Sequence, residues 1–135
     1  MGFEFTVSTT DRLDIVDVTD RVADAVPAGA TDGALTVFVE HTTAGVVINE
    51  SEQRLLDDVR TFLDGLVPDE GWEHDRIDDN ADSHLRALLL GPSTTVPVVD
   101  GRLALGRWQS VLVVDCDGPR ERTVRVGYTN TSTER

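Results

Sequence analysis

The chain contains no lysine. All of its 12 basic residues are arginine, against 25 aspartate and glutamate residues, and the formal net charge is −13. Such an acidic surface repels nucleic acid and anionic membranes, so we expect neither as a partner. Carboxylates hold water well, and concentrated salt screens the repulsion between them. The composition therefore favours a cytoplasmic protein of a high-salt cell, with an ordinary acidic cytoplasmic protein as the alternative.

Cysteine and long apolar runs are also scarce. Cys116 is the only cysteine in the sequence, which excludes an intrachain disulfide and fits a reducing compartment. No base neighbours it in its apolar run, so we expect a buried, unreactive thiol. No stretch approaches the roughly 20 apolar residues of a membrane span, and the first residues lack a basic-then-apolar signal. The polar residues 130–135 are predicted to form a frayed tail.

What the sequence does contain is typical of one globular domain, which we place at residues 1–135. Apolar patterning predicts strands at 3–7, 13–18, 35–40, 46–48, 94–99, 102–105, 108–115 and 120–128. Helices are predicted at 19–26, 50–66 and 80–90, and a polar loop at 69–79. Two helices carry leucine-rich stripes that we expect to face the core: Leu55, Leu56, Val59, Phe62, Leu63 and Leu66, then Leu85, Leu88 and Leu89. Because hairpins replace regular βαβ units, the order predicts an α+β fold of mostly antiparallel strands with two to three covering helices.

The segment 41–50 is the most informative stretch of the chain. A predicted buried strand leads into His41, a turn of small residues follows, and a second apolar run ends in Asn49 and Glu50. Strand ends hold polar groups rigidly, so His41 and Glu50 are a candidate pair for one site. A tight turn with a solvated histidine and a helix-capping Asn-Glu pair is the alternative.

Histidine occurs only three times, at positions 41, 74 and 84, each time beside polar residues. Imidazole is the commonest transition-metal ligand and carries protons near neutral pH. Three imidazoles with one open coordination position are an arrangement that catalytic zinc uses. His41, His74 and His84 are therefore predicted to hold a divalent metal, zinc or magnesium. Scattered histidines at an exposed rim are the alternative.

Most carboxylates of so acidic a chain are solvated surface groups. Glu50 and Asp58 differ by position, because both fall on the predicted helix 50–66, two turns apart, and can face one space. Either could act as a general base or orient a histidine.

Two further stretches suggest ligand contacts. The turn 117–120 aims Arg120 from a strand start, where a guanidinium fits a phosphate or carboxylate; a local ion pair is the alternative. Gln109 offers a donor and an acceptor to a heterocycle, and its neighbour Trp108 is expected in the core. The sequence has no phosphate-cradling glycine loop with lysine, no GxSxG and no CxxC.

Together these stretches resemble the YjbQ-like family, also called UPF0047 or the secondary thiamine-phosphate synthase family. The resemblance runs from about residue 6 to residue 127. It rests on HTTA at 41–44, NE at 49–50, Asp58, His74, 80–84, Gly91, Pro97, GRL at 101–103, LGRWQ at 105–109 and DGPRER at 117–122. Asp115 stands where the family often has glutamate, and Arg107 where threonine is common.

The resemblance implies a sandwich-like α+β fold of packed antiparallel strands. It also implies a homotrimer with pockets near the subunit contacts, and convergence of the three histidines on one pocket. The family label implies a transferase that couples hydroxymethylpyrimidine diphosphate to thiazole phosphate. On that hypothesis Glu50, Asp58 and Arg120 are catalytic, and the substrate is bound by Thr42, Asn49, Asn80, Gln109 and Arg120. A zinc-dependent hydrolase and a non-enzymatic trimer that binds a metal or small molecule are the alternatives.

Overall fold

A computed structural model describes residues 2–131, and the predicted tail beyond them lies outside the described residues. Every predicted helix and strand is present, in the predicted order. The elements are β1 Gly2–Ser8, β2 Asp14–Asp17, α1 Thr19–Asp24, β3 Gly33–Val39, β4 Ala44–Asn49, α2 Gln53–Leu66, a 3-10 helix Glu73–Arg76, α3 Ala81–Leu90, β5 Ser93–Val99, β6 Arg102–Leu103, β7 Ser110–Asp115 and β8 Glu121–Asn130. The 3-10 helix is an addition, formed within the predicted polar loop.

The strands form two antiparallel sheets. The larger has the order β1-β8-β3-β5-β6 and the smaller the order β2-β7-β4. The described chain is therefore α+β with antiparallel strands, as predicted. None of its helices between residues 2 and 131 is long and apolar enough to span a membrane.

The core lies between the two sheets and is rich in valine. Strands of the larger sheet alternate buried and exposed residues, whereas β7 is buried along both of its faces. Val111 and Val113 pack in the cluster between the sheets, and Leu112, Val114 and Cys116 pack in a second cluster with Leu63 of α2. This double burial explains the continuous apolar run of β7. It also confirms that the Cys116 thiol is buried. This burial raises the pKa of the thiol to about 12.

The predicted apolar faces of α2 and α3 are partly wrong. Leu88 is 74% exposed, Leu89 62% and Phe62 64%, and Leu66 is exposed as well. The buried face of α3 instead carries Asp82, Ser83 and Arg86.

Arg86 explains why α3 buries charge. Its guanidinium donates to the carbonyl oxygens of Leu63, Asp64 and Val67 at the C-terminal end of α2, and it pairs with Asp82 within α3. Those carbonyls have no partner inside their own helix, and a cation suits the negative end of a helix. A pattern of apolar residues alone cannot reveal this arrangement.

Four predicted boundaries also need correction. Helix α2 begins at Gln53, because the Glu52 carboxylate accepts from the amides of Arg54 and Leu55 and caps the helix there. Glu50 is therefore outside the helix and does not share a helical face with Asp58. Strand β7 begins only at Ser110, and Trp108 is exposed in a turn rather than in the core. Strand β6 ends at Leu103 and α1 ends at Asp24.

Candidate functional site

Several predicted site residues meet at one end of the β4–β7 strand pair. There Ala44 lies opposite Asp115, so the connection before β4, with His41 and Thr42, is next to the connection after β7, with Asp117 and Arg120. We call this the His41 end.

His41 completes the hydrogen-bond ladder between β3 and β8. The amide of Glu40 donates to the carbonyl oxygen of Thr123 (3.2 Å). The amide of Thr123 donates in return to Nε2 of the His41 ring (2.8 Å) rather than to a backbone oxygen. The imidazole therefore occupies a fixed place at the end of the ladder.

The environment of His41 favours the neutral ring. Burial lowers the pKa of His41, and the positive charge of Arg122 lowers that pKa further, against an opposing effect of Asp115 and Glu40. A neutral ring agrees with Nε2 accepting a hydrogen bond, since a protonated imidazole has no acceptor.

His74 and His84 contact each other directly. Their ring centroids are 4.8 Å apart in an edge-to-face arrangement. The 3-10 helix presents His74, and α3 presents His84 one turn after Asn80. Nε2 of His74 is buried and has no hydrogen-bond partner in the part of the chain that the structure describes. Buried polar atoms in folded proteins are nearly always hydrogen-bonded, so this nitrogen is an exception within the site.

A cavity of about 420 Å³ connects His84 with His41. Its polar lining is His41, Thr42 and His84, and its apolar lining is Ala44, Ala87, Leu88 and Pro92. The small residues after His41 allow α3 to approach β4 this closely. A Cβ on Gly45 would lie 2.7 Å from the carbonyl oxygen of Gly91 and 2.8 Å from Cβ of Leu90. Gly45 therefore holds the end of α3 against the strand that forms the cavity wall.

The buried ion pair of Arg122 and Asp115 contacts the connection before β4 and the connection after β7. Arg122 donates through Nη2 to Oδ1 of Asp115 and to Oγ1 of Thr43, and Thr9 donates to Oδ2 of Asp115. The amide of Asp117 also donates to the Asp115 carboxylate. Burial by itself would raise the pKa of Asp115, but these hydrogen bonds and the Arg122 charge lower the pKa below its usual value. The pair thus joins the connection before β4 to the one after β7.

Asn80, Asp117 and Arg120 form a chain of polar contacts beside this pair. Nδ2 of Asn80 donates to Oδ2 of Asp117 (3.0 Å), and Nη2 of Arg120 donates to the same oxygen (3.2 Å). Oδ1 of Asn80 is buried without a partner among residues 2–131. Arg120 does make the local ion pair considered as an alternative, yet its side chain is half exposed.

The other predicted site residues lie elsewhere. Asn49 is opposite Ser110, at the far end of β4, and the five residue steps along this strand, at about 3.3 Å each, separate the ends by roughly 17 Å. Glu50 adjoins Asn49 there, the Gln109 side chain accepts from the amide of Gly106 in its own turn, and Asp58 is exposed on α2. Within one subunit, His41 and Glu50 are therefore not a pair.

The structure also bears on the predicted metal. Among residues 2–131 no group of three histidine, cysteine or acidic side chains is arranged to hold a metal ion. Nε2 of His41 is engaged by a backbone amide, whereas His74 and His84 keep nitrogens available. The three-histidine site stays a prediction, and within it His74 and His84 are the two rings that contact each other.

Sequence reasoning missed Arg122 as a site residue. Arg122 is in phase with the buried Val124 and Val126 of β8, so its alternation with exposed neighbours points a charge into the interior. That out-of-place charge, together with Asp115 in the apolar run of β7, was the available signal.

The chain is similar to known proteins over nearly its whole length. The family model described as UPF0047 protein YjbQ-like matches residues 3–131. A UPF0047 protein of Archaeoglobus fulgidus is 49% identical over 124 residues, covering 91% of this chain and 97% of the relative. A hypothetical protein from Aeropyrum pernix K1 has a crystal structure with a TM-score of 0.93 and 45% identity, covering 96% of this chain and 98% of that one. The crystal structure of a YbjQ-like protein of unknown function from Sulfolobus solfataricus P2 has a TM-score of 0.93 at 38% identity, covering 96% of each chain.

Proposed function

The chain belongs to the YjbQ-like UPF0047 family, and from that premise we propose that it is a transferase of the thiamine-phosphate synthase type. It would couple hydroxymethylpyrimidine diphosphate to thiazole phosphate. The observation that carries the proposal is the cavity between His41 and His84. Apolar walls with a few convergent polar groups suit a flat heterocycle whose orientation must be fixed.

Each polar group of the His41 end has a role in this proposal. Thr42 and His84, which line the cavity, orient the heterocycle, and His41 faces the phosphate oxygens. Oδ1 of Asn80, which has no partner among residues 2–131, is proposed to accept a hydrogen bond from the pyrimidine amine. The thiazole nitrogen uses its lone pair to form a bond to the methylene carbon of the pyrimidine, the carbon–oxygen bond to the diphosphate breaks, and the diphosphate leaves with that electron pair. Arg120 then stabilises the negative charge of the leaving group. Its link through Asp117 to Asn80 places it on the side of α3 that carries His84.

The transferase is tested by product formation. Purified protein is incubated with hydroxymethylpyrimidine diphosphate and thiazole phosphate, with and without a divalent cation, and thiamine phosphate is measured by mass spectrometry. We expect product from the wild type and a loss of at least about tenfold in Arg120→Ala, in line with the loss of a charged contact to a phosphate. Arg102→Ala, an exposed arginine of β6, is the control. Equal rates in both variants would contradict the role of Arg120.

We further propose that the protein is a homotrimer. Leu88 lines the cavity and yet is mostly exposed, and the exposed Leu66, Trp72 and Leu89 continue the same apolar surface. A surface of this kind indicates a protein contact. In a trimer, Asn49 and Glu50 of one subunit would be free to approach the His41 end of another, which they cannot reach in their own subunit.

Subunit number is measured by analytical ultracentrifugation. We expect three copies for the wild type and dissociation for Leu89→Asp, because a carboxylate would be buried in the contact. Ile77→Asp, at an exposed apolar residue that is not among those lining the leucine surface, should leave the assembly intact. A monomeric wild type would end the trimer proposal and the role of Glu50 with it.

A zinc-dependent hydrolase is the second candidate, because of the buried and unpartnered Nε2 of His74 beside the His84 ring. These two histidines would hold the ion. A bound zinc ion supplies a water of lowered pKa that serves as a nucleophile. Metal content of the purified protein, measured by mass spectrometry, distinguishes the candidates. Stoichiometric zinc that is lost in His74→Asn and His84→Asn supports the hydrolase, and the absence of any transition metal excludes it.

Saturable binding of the heterocycles without turnover would indicate the third possibility, a non-enzymatic binding protein. Isothermal calorimetry with each substrate alone, beside the product assay, separates binding from catalysis.

A further inference from the structure

The two ring nitrogens of His41 have different hydrogen-bonding roles. From their contacts we infer that His41 serves the cavity as a hydrogen-bond donor, through Nδ1–H, to an oxygen of the bound molecule, and that it is not a metal ligand. The choice of a phosphate oxygen as that acceptor rests on the proposed function. The position of the ring proton does not depend on the proposed function, because the hydrogen bond from the Thr123 amide determines it.

The first step concerns the lone pair of the ring. A neutral imidazole has one N–H donor and one acceptor nitrogen. Nε2 of His41 lies 2.8 Å from the amide nitrogen of Thr123, which can only donate. Turning the ring over would place a carbon at that amide and leave the donor without a partner. Nε2 is therefore the acceptor, and the ring proton is on Nδ1.

The second step concerns the amide of Thr123. Thr123 lies in the interior strand β8, between β1 and β3. Its carbonyl oxygen accepts from the amide of Glu40, and its own N–H donates to the His41 ring, its acceptor among residues 2–131. A half-buried amide without a partner is costly, so the ladder holds the His41 ring in this state.

The third step is the exposure of Nδ1. The ring lines the cavity together with Thr42 and His84. Nδ1 has no hydrogen-bond partner within residues 2–131, and it is not a buried unsatisfied atom. The nitrogen that remains for a ligand is thus an N–H, directed by a ring that the sheet holds in place. It can donate to an oxygen and cannot coordinate a cation.

This assignment separates the three histidines by chemistry. A metal ion needs a lone pair, and His41 has none to offer while the ladder is intact. His74 and His84 keep that capacity. The cavity would then hold a donor on its sheet side and the His84 imidazole on its helix side, an arrangement that orients an anionic oxygen toward His41.

The ring proton is located by NMR on ligand-free protein labelled with 15N. Long-range 1H–15N spectra distinguish the two neutral tautomers, and the three histidines are assigned by substituting each in turn. We expect His41 as the Nδ1–H tautomer. We also expect added Zn²⁺ to leave the His41 signals in place, and inorganic diphosphate to shift its Nδ1 resonance. An Nε2–H tautomer, or Zn²⁺ bound at His41, would overturn the inference.

Two substitutions divide the duties of the ring. His41→Gln places an amide oxygen near the position of Nε2, so it retains an acceptor for Thr123 and loses the donor to the cavity. His41→Asn places an amide nitrogen near the position of Nδ1 and loses the acceptor. We expect His41→Gln to melt close to the wild type but to bind inorganic diphosphate about tenfold more weakly, the effect of one hydrogen bond to a charged group. His41→Asn should melt at lower temperature and bind more tightly than His41→Gln.

Calorimetry of diphosphate binding completes the test. A wild type that binds no diphosphate, or a His41→Gln variant that binds it as tightly as the wild type, would overturn the donor role. Failure of the transferase assay is a separate result, since both the tautomer and diphosphate binding are measured without turnover.

Discussion

The two ends of the β4–β7 strand pair are made of similar polar residues, yet the structure holds them very differently. At the His41 end, Asp115 and Arg122 are fully buried and bonded to threonines from two other segments. At the far end, Asn49 and Gln109 are exposed, and within the described part of the chain each side chain accepts from a single nearby backbone amide. A site must keep its groups in place before the ligand arrives, and only the first end meets that condition within one subunit.

The comparison also shows where the cost of rigidity lies. The buried pair ties three segments together but depends on every partner being present, because a lone buried charge is strongly unfavourable. The far end has little to lose when one side chain is removed. Substitutions at the two ends should therefore differ in stability far more than their chemistry suggests.

The largest effect is expected from Arg122→Ala. Removing one partner of a buried ion pair leaves the Asp115 carboxylate uncompensated, which costs about 3–5 kcal/mol in unfolding free energy. Urea denaturation followed by circular dichroism measures the loss. Arg102→Ala, on the exposed β6, is the matched control and should be near neutral. Equal stability of the two variants would show that the pair does not hold the His41 end.

The turn after β7 should tolerate no added methyl group. A Cβ on Gly118 would lie 2.3 Å from the carbonyl oxygen of Asp11 and 2.7 Å from Oγ1 of Thr9. We expect Gly118→Ala to cost about 1–3 kcal/mol, as overpacking does. Gly65→Ala, on α2 with nothing within 4 Å of the added carbon, should instead stabilise the protein by about 0.5–1 kcal/mol. Thermal melts of the two variants should therefore move in opposite directions.

Acid should weaken the same end. The pKa of Asp115 is lowered in the folded protein, against burial, by the hydrogen bonds from Arg122, Thr9 and the amide of Asp117. Such a carboxylate stabilises the fold fully above its unfolded pKa of about 3.9 and loses this contribution as the pH falls through its folded pKa. The difference in stability between wild type and Asp115→Asn should thus be constant near neutral pH and shrink below about pH 4. A constant difference down to strongly acidic pH would contradict the assignment.

The smallest effect is expected at the far end. Asn49→Ala and Glu50→Gln should change the unfolding free energy by no more than about 0.5 kcal/mol, as exposed substitutions usually do. Their value lies in the activity assay. A loss of activity without a loss of stability would place this end at the site of a neighbouring subunit, whereas unchanged activity would exclude both residues from catalysis.

Much of the fold could be predicted because its signals are local. Alternation identified the strands of the larger sheet, and helical spacing located α2 and α3. The errors arose where long-range contacts decide. Phe62, Leu66, Leu88 and Leu89 have the right spacing for a core but are exposed, whereas Arg86 of α3 is buried against the end of α2. Spacing along one helix contains no information about that contact.

The candidate site divides in the same way. His41, Thr42, Asn80, His84 and Arg120 could be selected from the sequence, because polar residues at strand ends and helix starts have few structural reasons to be there. These residues depend on Thr9, Asp115 and Arg122. Thr9 and Asp115 bond to each other although more than 100 positions separate them in the sequence. No pattern in one sequence joins such residues.

The sequence alone determined the acidic, lysine-free surface, the unpaired cysteine, the order of elements and the family, since each depends on residue identity or short-range periodicity. Only the tertiary structure decided that Glu50 lies about a strand's length from His41, that two aspartate–arginine pairs are buried, and that the His41 ring accepts from a backbone amide. Those outcomes depend on which distant segments of the chain pack together. The lone pair on Nε2 of His41, for example, is engaged because β8 brings the amide of Thr123 next to it.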